Sequence, residues 1–260
     1  TGFDACLSIS YTIPINVGAN LVSFYALPVE RDISNILYPN NQDFIFSILG
    51  EASNAINNGD NNWIGSLQEF EFDNGYWIRS LNSTDIIIND SYETEFQVYN
   101  LHEGANLISY PSNSSILLED ALPDSLENYF VSILGESVSA IKLDDGSWTG
   151  SLNYFEPGNA YWFIVNDAFE FSYNLDEILP RNFTVNSPDI LHNQSSNQSF
   201  YYLNNLDQLE LNENDWILAF NNDIIVGSKL MNDFRNDLPV MGDDSFNYSL
   251  GYCLYGDTPT

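Results

Sequence analysis

Basic side chains are scarce in this chain: six lysines and arginines stand against 37 aspartates and glutamates, for a formal net charge of −31 at pH 7. Such a field repels the phosphate backbone of nucleic acids and anionic lipid headgroups alike. It attracts cations, and it favours a medium whose salt screens the self-repulsion within roughly one Debye length. The charge therefore argues against nucleic-acid and membrane-surface partners and fits a saline exterior.

Long apolar runs are also missing, since no stretch approaches the ~20 uninterrupted apolar residues of a membrane span. We therefore expect no membrane insertion. The hydrophobic share of 44% over 260 residues is nevertheless ample for packed cores, in one large domain or in two to three small ones.

Histidine is too rare to support the usual nucleophilic catalysis. With only His102 and His192, neither a serine nor a cysteine triad has a convincing base. No phosphate-binding glycine loop or dinucleotide fingerprint occurs. A pair of catalytic carboxylates stays open, because such pairs are recognised by their separation in space. Small repeated β modules rarely enclose a deep cleft, so we expect that the chain is not an enzyme.

The two cysteines, Cys6 and Cys253, stand near opposite ends of the sequence. Their spacing rules out the usual metal-binding knuckles. It predicts a disulfide, the alternative being two free buried thiols.

The chain repeats itself at an offset of 85 to 86 residues, which indicates modular construction. Four segments recur in the same order. They are Gly18–Phe24 with Gly104–Tyr110, Ser47–Glu51 with Ser132–Glu136, Trp63–Leu67 with Trp148–Leu152, and Phe70 with Tyr76–Trp77 against Phe155 with Tyr161–Trp162.

Each copy shows short alternating segments typical of β-strands joined by tight turns. One helical turn is predicted in each copy, at Asp32–Leu37 and at Leu117–Leu122, because both have helical spacing followed by a proline. The last third does not match the repeat, and its strand-like segments predict a β-sandwich. The fold class is thus mainly β, with modules at 12–98, 99–176 and 177–260, preceded by an N-terminal strand at 1–11.

The repeat resembles tandem extracellular β modules found in large secreted and cell-surface proteins of marine bacteria. The third module resembles a companion of that repeat, through Ser199–Tyr202, Asn214–Asn221, Val226–Gly227 and Asp237–Asp244. The resemblance implies a secreted or surface location and a building-block role. It brings no catalytic residues, and it suggests that the third module lacks one closing strand.

The segment Ala5–Ile13 alternates apolar and polar residues like a half-buried strand. We expect it to complete the third module as a donor strand, with Cys6 beside Cys253, either within one chain or between copies. Modules in a row would favour head-to-tail copies and an open filament. The leading interpretation is therefore a structural subunit of a surface fibre, filament or adhesin, and the alternative is a module that binds surface glycans or matrix.

Two further sets of side chains are candidates for sites. Calcium is the one cofactor considered, through Asp215, Asp237, Asp243 and Asp244, but ordinary turns explain these aspartates better. Five tryptophans are expected to serve cores before ligands: Trp63, Trp77, Trp148, Trp162 and Trp216. In each Tyr-Trp pair we expect one ring in the core and one exposed, because neighbours on a strand face opposite ways.

Overall fold

The computed structural model describes residues 8–37, 44–93, 97–175, 191–204, 206, 211, 212, 214–231 and 236–260. Over these residues the fold is mainly β, with antiparallel sheets and a few short helical turns. The predicted fold class is confirmed.

The first module combines a large sheet with a smaller one. Its strands are β1 (Ile9–Ile15), β2 (Gly18–Val22), β3 (Ala26–Leu27), β4 (Ile45–Leu49), β5 (Asn54–Asn57), β6 (Trp63–Gly65), β7 (Tyr76–Ser80) and β8 (Thr84–Glu93), and its helical turn is α1 (Ile33–Leu37). The large sheet has the order β2-β7-β4-β5-β6, and the small sheet has the order β1-β8-β3. Phe24, Phe70 and Tyr76 lie in the core between them.

The second module repeats the large sheet. Its strands are β9 (Tyr99–Leu101), β10 (Gly104–Ser109), β11 (Ile116–Leu117), β12 (Phe130–Leu134), β13 (Ser139–Lys142), β14 (Trp148–Gly150), β15 (Tyr154–Phe155), β16 (Ala160–Val165) and β17 (Phe169–Phe171), and its helical turn is α2 (Leu118–Ala121). The order β10-β16-β12-β13-β14 matches the first sheet strand for strand. The register matches too, because Leu21 pairs with Trp77 as Leu107 pairs with Trp162.

The N-terminal strand has a different place from the one expected. β1 pairs with β8 along its whole length, from Ile9 opposite Ser91 to Ile15 opposite Thr84. The prediction that this strand completes the third module is therefore wrong for residues 9–13, which belong to the small sheet of the first module. Alternation identifies a half-buried strand but not its neighbour. Residues 1–7, with Cys6, lie outside the described part of the chain.

The third module contains two antiparallel strand pairs. Its strands are β18 (Gln198–Tyr202), β19 (Trp216–Asn221), β20 (Ile224–Leu230) and β21 (Asp237–Met241). β18 pairs with β21 and β19 pairs with β20, around a core that includes Val226 and Met241. The tight turn after β19 begins at Asn222, whose φ of +54° suits asparagine better than most residues.

The modules do not follow one another in a row. The first two pack face to face, and the third contacts both of them: the Gln194 carbonyl accepts a 3.1 Å hydrogen bond from the Ala19 amide, and the Ser139 hydroxyl donates to Asp237 at 2.7 Å. The expected linear arrangement is thus wrong, because the outer faces of the large sheets are apolar and bury each other.

Candidate functional site at the module junction

The two large sheets meet through side chains that point away from the module cores. Neighbouring strand residues face opposite sides, so Tyr76 fills the core of its module while Trp77 projects from the other face. This outer face packs on its counterpart in the second module and forms a separate apolar cluster. Its members are Ala19, Leu21, Trp77, Leu107 and Ala160, with Leu49 and Trp162 packed against them.

Two repeat-related glutamates exchange hydrogen bonds across this contact. The Leu21 amide donates to Glu136 Oε2 at 2.7 Å, and the Leu107 amide donates to Glu51 Oε2 at 2.7 Å. Each glutamate thus satisfies an outward-facing amide on the edge strand of the other module. The contact has the reciprocity of a two-fold interface.

Two repeat-related serines add a second reciprocal set. Ser23 donates its amide to the Gly158 carbonyl at 2.8 Å and its hydroxyl to the Asn159 carbonyl. Ser109 does the same with the Asp73 and Phe72 carbonyls. The recurring Gly18–Phe24 and Ser47–Glu51 motifs therefore build the contact between the modules.

The third module covers one side of this junction. Arg79 of β7 lies 3.5 Å from Asp244, donates to the Ser196 hydroxyl at 2.5 Å and stacks 4.5 Å from the Phe246 ring centroid. Arg79 is only 8% exposed, so these contacts keep its charge paired in a largely buried place.

A second polar cluster fixes the third module to the second one. Asp237 is fully buried, pairs with Lys229 and accepts hydrogen bonds from Ser139 at 2.7 Å and Ser151 at 2.6 Å. Burial alone would raise the pKa of this carboxyl, but Lys229 and the serine hydroxyls hold it below its ordinary value. The carboxylate acts here as a structural acceptor.

The four aspartates considered as calcium ligands do not come together. Asp237 and Asp244 have the separate partners just described, Asp215 accepts from the Asn212 amide at 2.7 Å, and Asp243 accepts from the Ser245 amide at 2.6 Å. Within the described residues, no three acidic, histidine or cysteine side chains are grouped as metal ligands. The expectation of one shared calcium site is therefore not met by the described residues. Asp237 and Asp244 make buried contacts, and Asp215 and Asp243 accept hydrogen bonds from nearby backbone amides.

The tryptophans divide by position in the repeat. Trp63 and Trp148 are half-buried against their module cores, whereas Trp77 and Trp162 lie in the junction. The second ring of each Tyr-Trp pair is thus not an ordinary exposed ring, because the other module packs over it. Trp216 is half-buried on β19.

Among the described residues Cys253 has no cysteine partner, and partial burial raises the pKa of its thiol. Because Cys6 lies outside the described residues, its pairing with Cys253 stays a prediction.

A shallow cleft of about 240 Å³ lies beside Trp63. Carboxamide and carboxyl side chains line it together with the indole, which donates to Asn61 Oδ1 at 2.9 Å. The polar lining comprises Asp32, Ser34, Asn61, Asn62 and Gln68. An aromatic ring among amide groups is chemistry suited to a sugar.

Sequence reasoning did not single out three residues that make contacts between modules: Glu51, Glu136 and Arg79. A signal was present, since each glutamate recurs at the end of the same motif and Arg79 is one of only six basic residues.

No family model matches the chain, and neither the curated proteins nor the solved structures gave a match. No helix in the described ranges is long and apolar enough to cross a membrane.

Proposed function

We propose that this chain is a non-catalytic structural component of a secreted or cell-surface assembly, a fibre, filament or adhesin whose copies associate with one another. The observation that carries the proposal is how the repeated motifs are used: the Gly18–Phe24 and Ser47–Glu51 motifs and their counterparts hold modules together. Residues repeated within a chain for interfaces indicate a building block better than a ligand site.

Strand pairing between copies is supported at the edge of β19. Phe220 and Thr260 exchange both main-chain hydrogen bonds there, at 2.8 and 3.0 Å. An edge that already pairs with one residue outside its own hairpin can accept a longer strand by the same bonds. The net charge of −31 keeps such a chain soluble in salt water.

Electron microscopy and a glycan array, run on the same preparation in seawater-like salt, test the proposal. We expect ordered assemblies and no retention on any glycan. Protease added to intact cells should digest the native protein. Glycan binding by a chain that never assembles would contradict the structural role.

The cleft beside Trp63 favours a second function, the binding of a surface carbohydrate. If it operates, Asn62→Ala and Gln68→Ala should each weaken retention on a glycan without lowering the melting temperature, because both side chains line the cleft. Trp148→Ala is the control for Trp63→Ala, because the two tryptophans occupy the same repeat position. Lys142 Nζ lies over the Trp148 ring, 5.5 Å from its centroid, and occupies the face on which a sugar would stack. Equal effects of the two tryptophan changes would indicate loss of packing and no sugar site.

A further inference from the structure

The two-fold relation between the first two modules creates two related surfaces. The third module covers one of them, where it contacts β2 and β7 of the first module and the β13–β14 hairpin of the second. By the strand correspondence of the repeat, the related surface comprises β10 and β16 of the second module and the β5–β6 hairpin of the first. We call it the open face, defined by Ile56, Ile64, Ala105, Val131 and Ile164.

Two glycines show the difference between the two surfaces. Gly18 and Gly104 have nearly the same φ, +101° and +102°. A methyl group on Gly18 would lie 2.6 Å from the Gln194 carbonyl oxygen, whereas one on Gly104 would have no described atom within 4 Å. The backbone is the same, but only one surface is covered.

Apolar side chains on the open face are accessible to solvent. Ile56 and Ile64 are each 56% exposed and form a cross-strand pair, and Val131 is 42% exposed. Exposed apolar side chains that pair across neighbouring strands, as Ile56 and Ile64 do, indicate an interaction site better than single exposed residues.

The open face is unsuited to a second copy of the third module. At the covered surface Arg79 neutralises Asp244, and Thr149 bonds to Asn236. The repeat-related positions on the open face are Ile164 and Ile64. Docking the same module there would bury Asp244 without a cation, which is strongly unfavourable.

We propose that the open face binds the open face of a second copy of this chain, forming a two-fold dimer. The same sheet surface already packs on its own repeat within the chain, through Leu21 and Trp77 against Leu107. Each open face offers a hairpin with Ile56 and Ile64 and a strip with Val131 and Ile164. A two-fold axis brings the hairpin of each copy onto the strip of the other.

This contact rests on the proposed function and deepens it by naming a second surface, besides the edge of β19, through which copies meet. The charge of −31 on each copy opposes the contact. Salt screens that repulsion and leaves the burial of apolar side chains unopposed. The dimer should therefore form in seawater-like salt and dissociate in dilute buffer.

Sedimentation velocity of the full chain over a range of salt and protein concentrations tests this contact. Ile64→Asp changes the hairpin, Val131→Asp changes the strip, and Val29→Asp, at a residue 85% exposed elsewhere on the first module, is the control. Circular dichroism and melting temperature confirm that each variant folds. We expect twice the monomer mass for the native chain and for Val29→Asp in high salt, and the monomer mass for the other two.

A native chain that stays monomeric at every salt concentration, or an Ile64→Asp chain that dimerises like the native one, would overturn the open-face contact. Electron microscopy of the same samples separates this outcome from failure of the proposed function. Assemblies that form equally well from Ile64→Asp leave the structural role standing and place the contact elsewhere.

Discussion

Glu51 and Glu136 occupy related positions in the repeat, yet their surroundings differ. Glu51 is exposed, whereas the residues flanking Glu136 contact the third module: the Gly135 carbonyl accepts from Gln198, and Ser137 donates to Gln194. Burial raises the pKa of Glu136 to about 7, although the hydrogen bond from the Leu21 amide opposes this shift. One junction thus holds one carboxylate at the surface and one that is more deeply buried.

The raised pKa makes stability depend on pH. The folded chain holds this proton more tightly than the unfolded chain, so the stabilisation is complete below about pH 4.5 and is lost as the pH rises through about 7. Glu136→Gln keeps an acceptor for Leu21 without the charge. We expect the variant to be more stable than the native chain at pH 8, by on the order of 3 kcal/mol, and the difference to disappear towards pH 4.5.

Urea unfolding at a series of pH values measures this difference. Glu51→Gln is the comparison variant at the exposed end of the junction, where the change also removes the carboxylate that lies 2.6 Å from His102 Nε2. A difference between Glu136→Gln and the native chain that stays constant with pH would contradict the role assigned to Glu136.

Arg79 and Arg31 provide a second comparison between single residues. Arg79 is paired with Asp244 in a largely buried place, while Arg31 pairs with Glu69 and Glu71 nearer the surface. Removing one partner of a buried pair costs about 3–5 kcal/mol, whereas a surface pair contributes about 0–1 kcal/mol. Arg79→Ala should therefore lower the free energy of unfolding far more than Arg31→Ala in parallel denaturant titrations. Equal losses would show that Arg79 does not hold the third module.

Among the elements, the β5–β6 and β13–β14 hairpins depend on a glycine at the same repeat position. Gly65 and Gly150 have φ of +152° and +126°, and an added methyl group would lie 2.1 Å from the Asn54 oxygen or 2.2 Å from the Ser139 oxygen. Since both contacts are with backbone, neither neighbour can move aside cheaply.

Gly65→Ala and Gly150→Ala should therefore destabilise the fold more than Gly146→Ala. Gly146 also has a positive φ, +88°, but a methyl group there meets no described atom within 4 Å. The control should cost about 1–2 kcal/mol for its φ alone. Thermal unfolding ranks the three variants, and a control as destabilised as Gly65→Ala would show that φ, and not the close contact, sets the cost.

The strands of both repeats could be predicted from sequence because alternation and turn residues are local. The helical turns at Ile33–Leu37 and Leu118–Ala121 lie within the two ranges that helical spacing and a following proline predicted. Alternation also identifies Trp77 as a strand residue. It does not indicate which of the two buried faces of the sheet the side chain occupies. Likewise β1 was identifiable as a strand, whereas its pairing with β8 depends on contacts distant in sequence.

For the whole molecule, the unpredicted part is the arrangement of modules. It depends on pairs such as Ser139 with Asp237, 98 residues apart, and Arg79 with Ser196, 117 residues apart. Sequence spacing carries no signal for such pairs in a single chain. These contacts tie the third module to both repeats, and they replace the expected row of modules with one packed body.

Small-angle X-ray scattering in dilute, low-salt solution tests this packed arrangement most directly, because charge repulsion keeps copies apart there. A single packed body of 260 residues should have a radius of gyration of about 18 Å. Three modules of similar size in a row would give roughly 25 Å or more by the same scaling. A value near the first figure supports face-to-face packing through the repeated motifs, and a value near the second would contradict it.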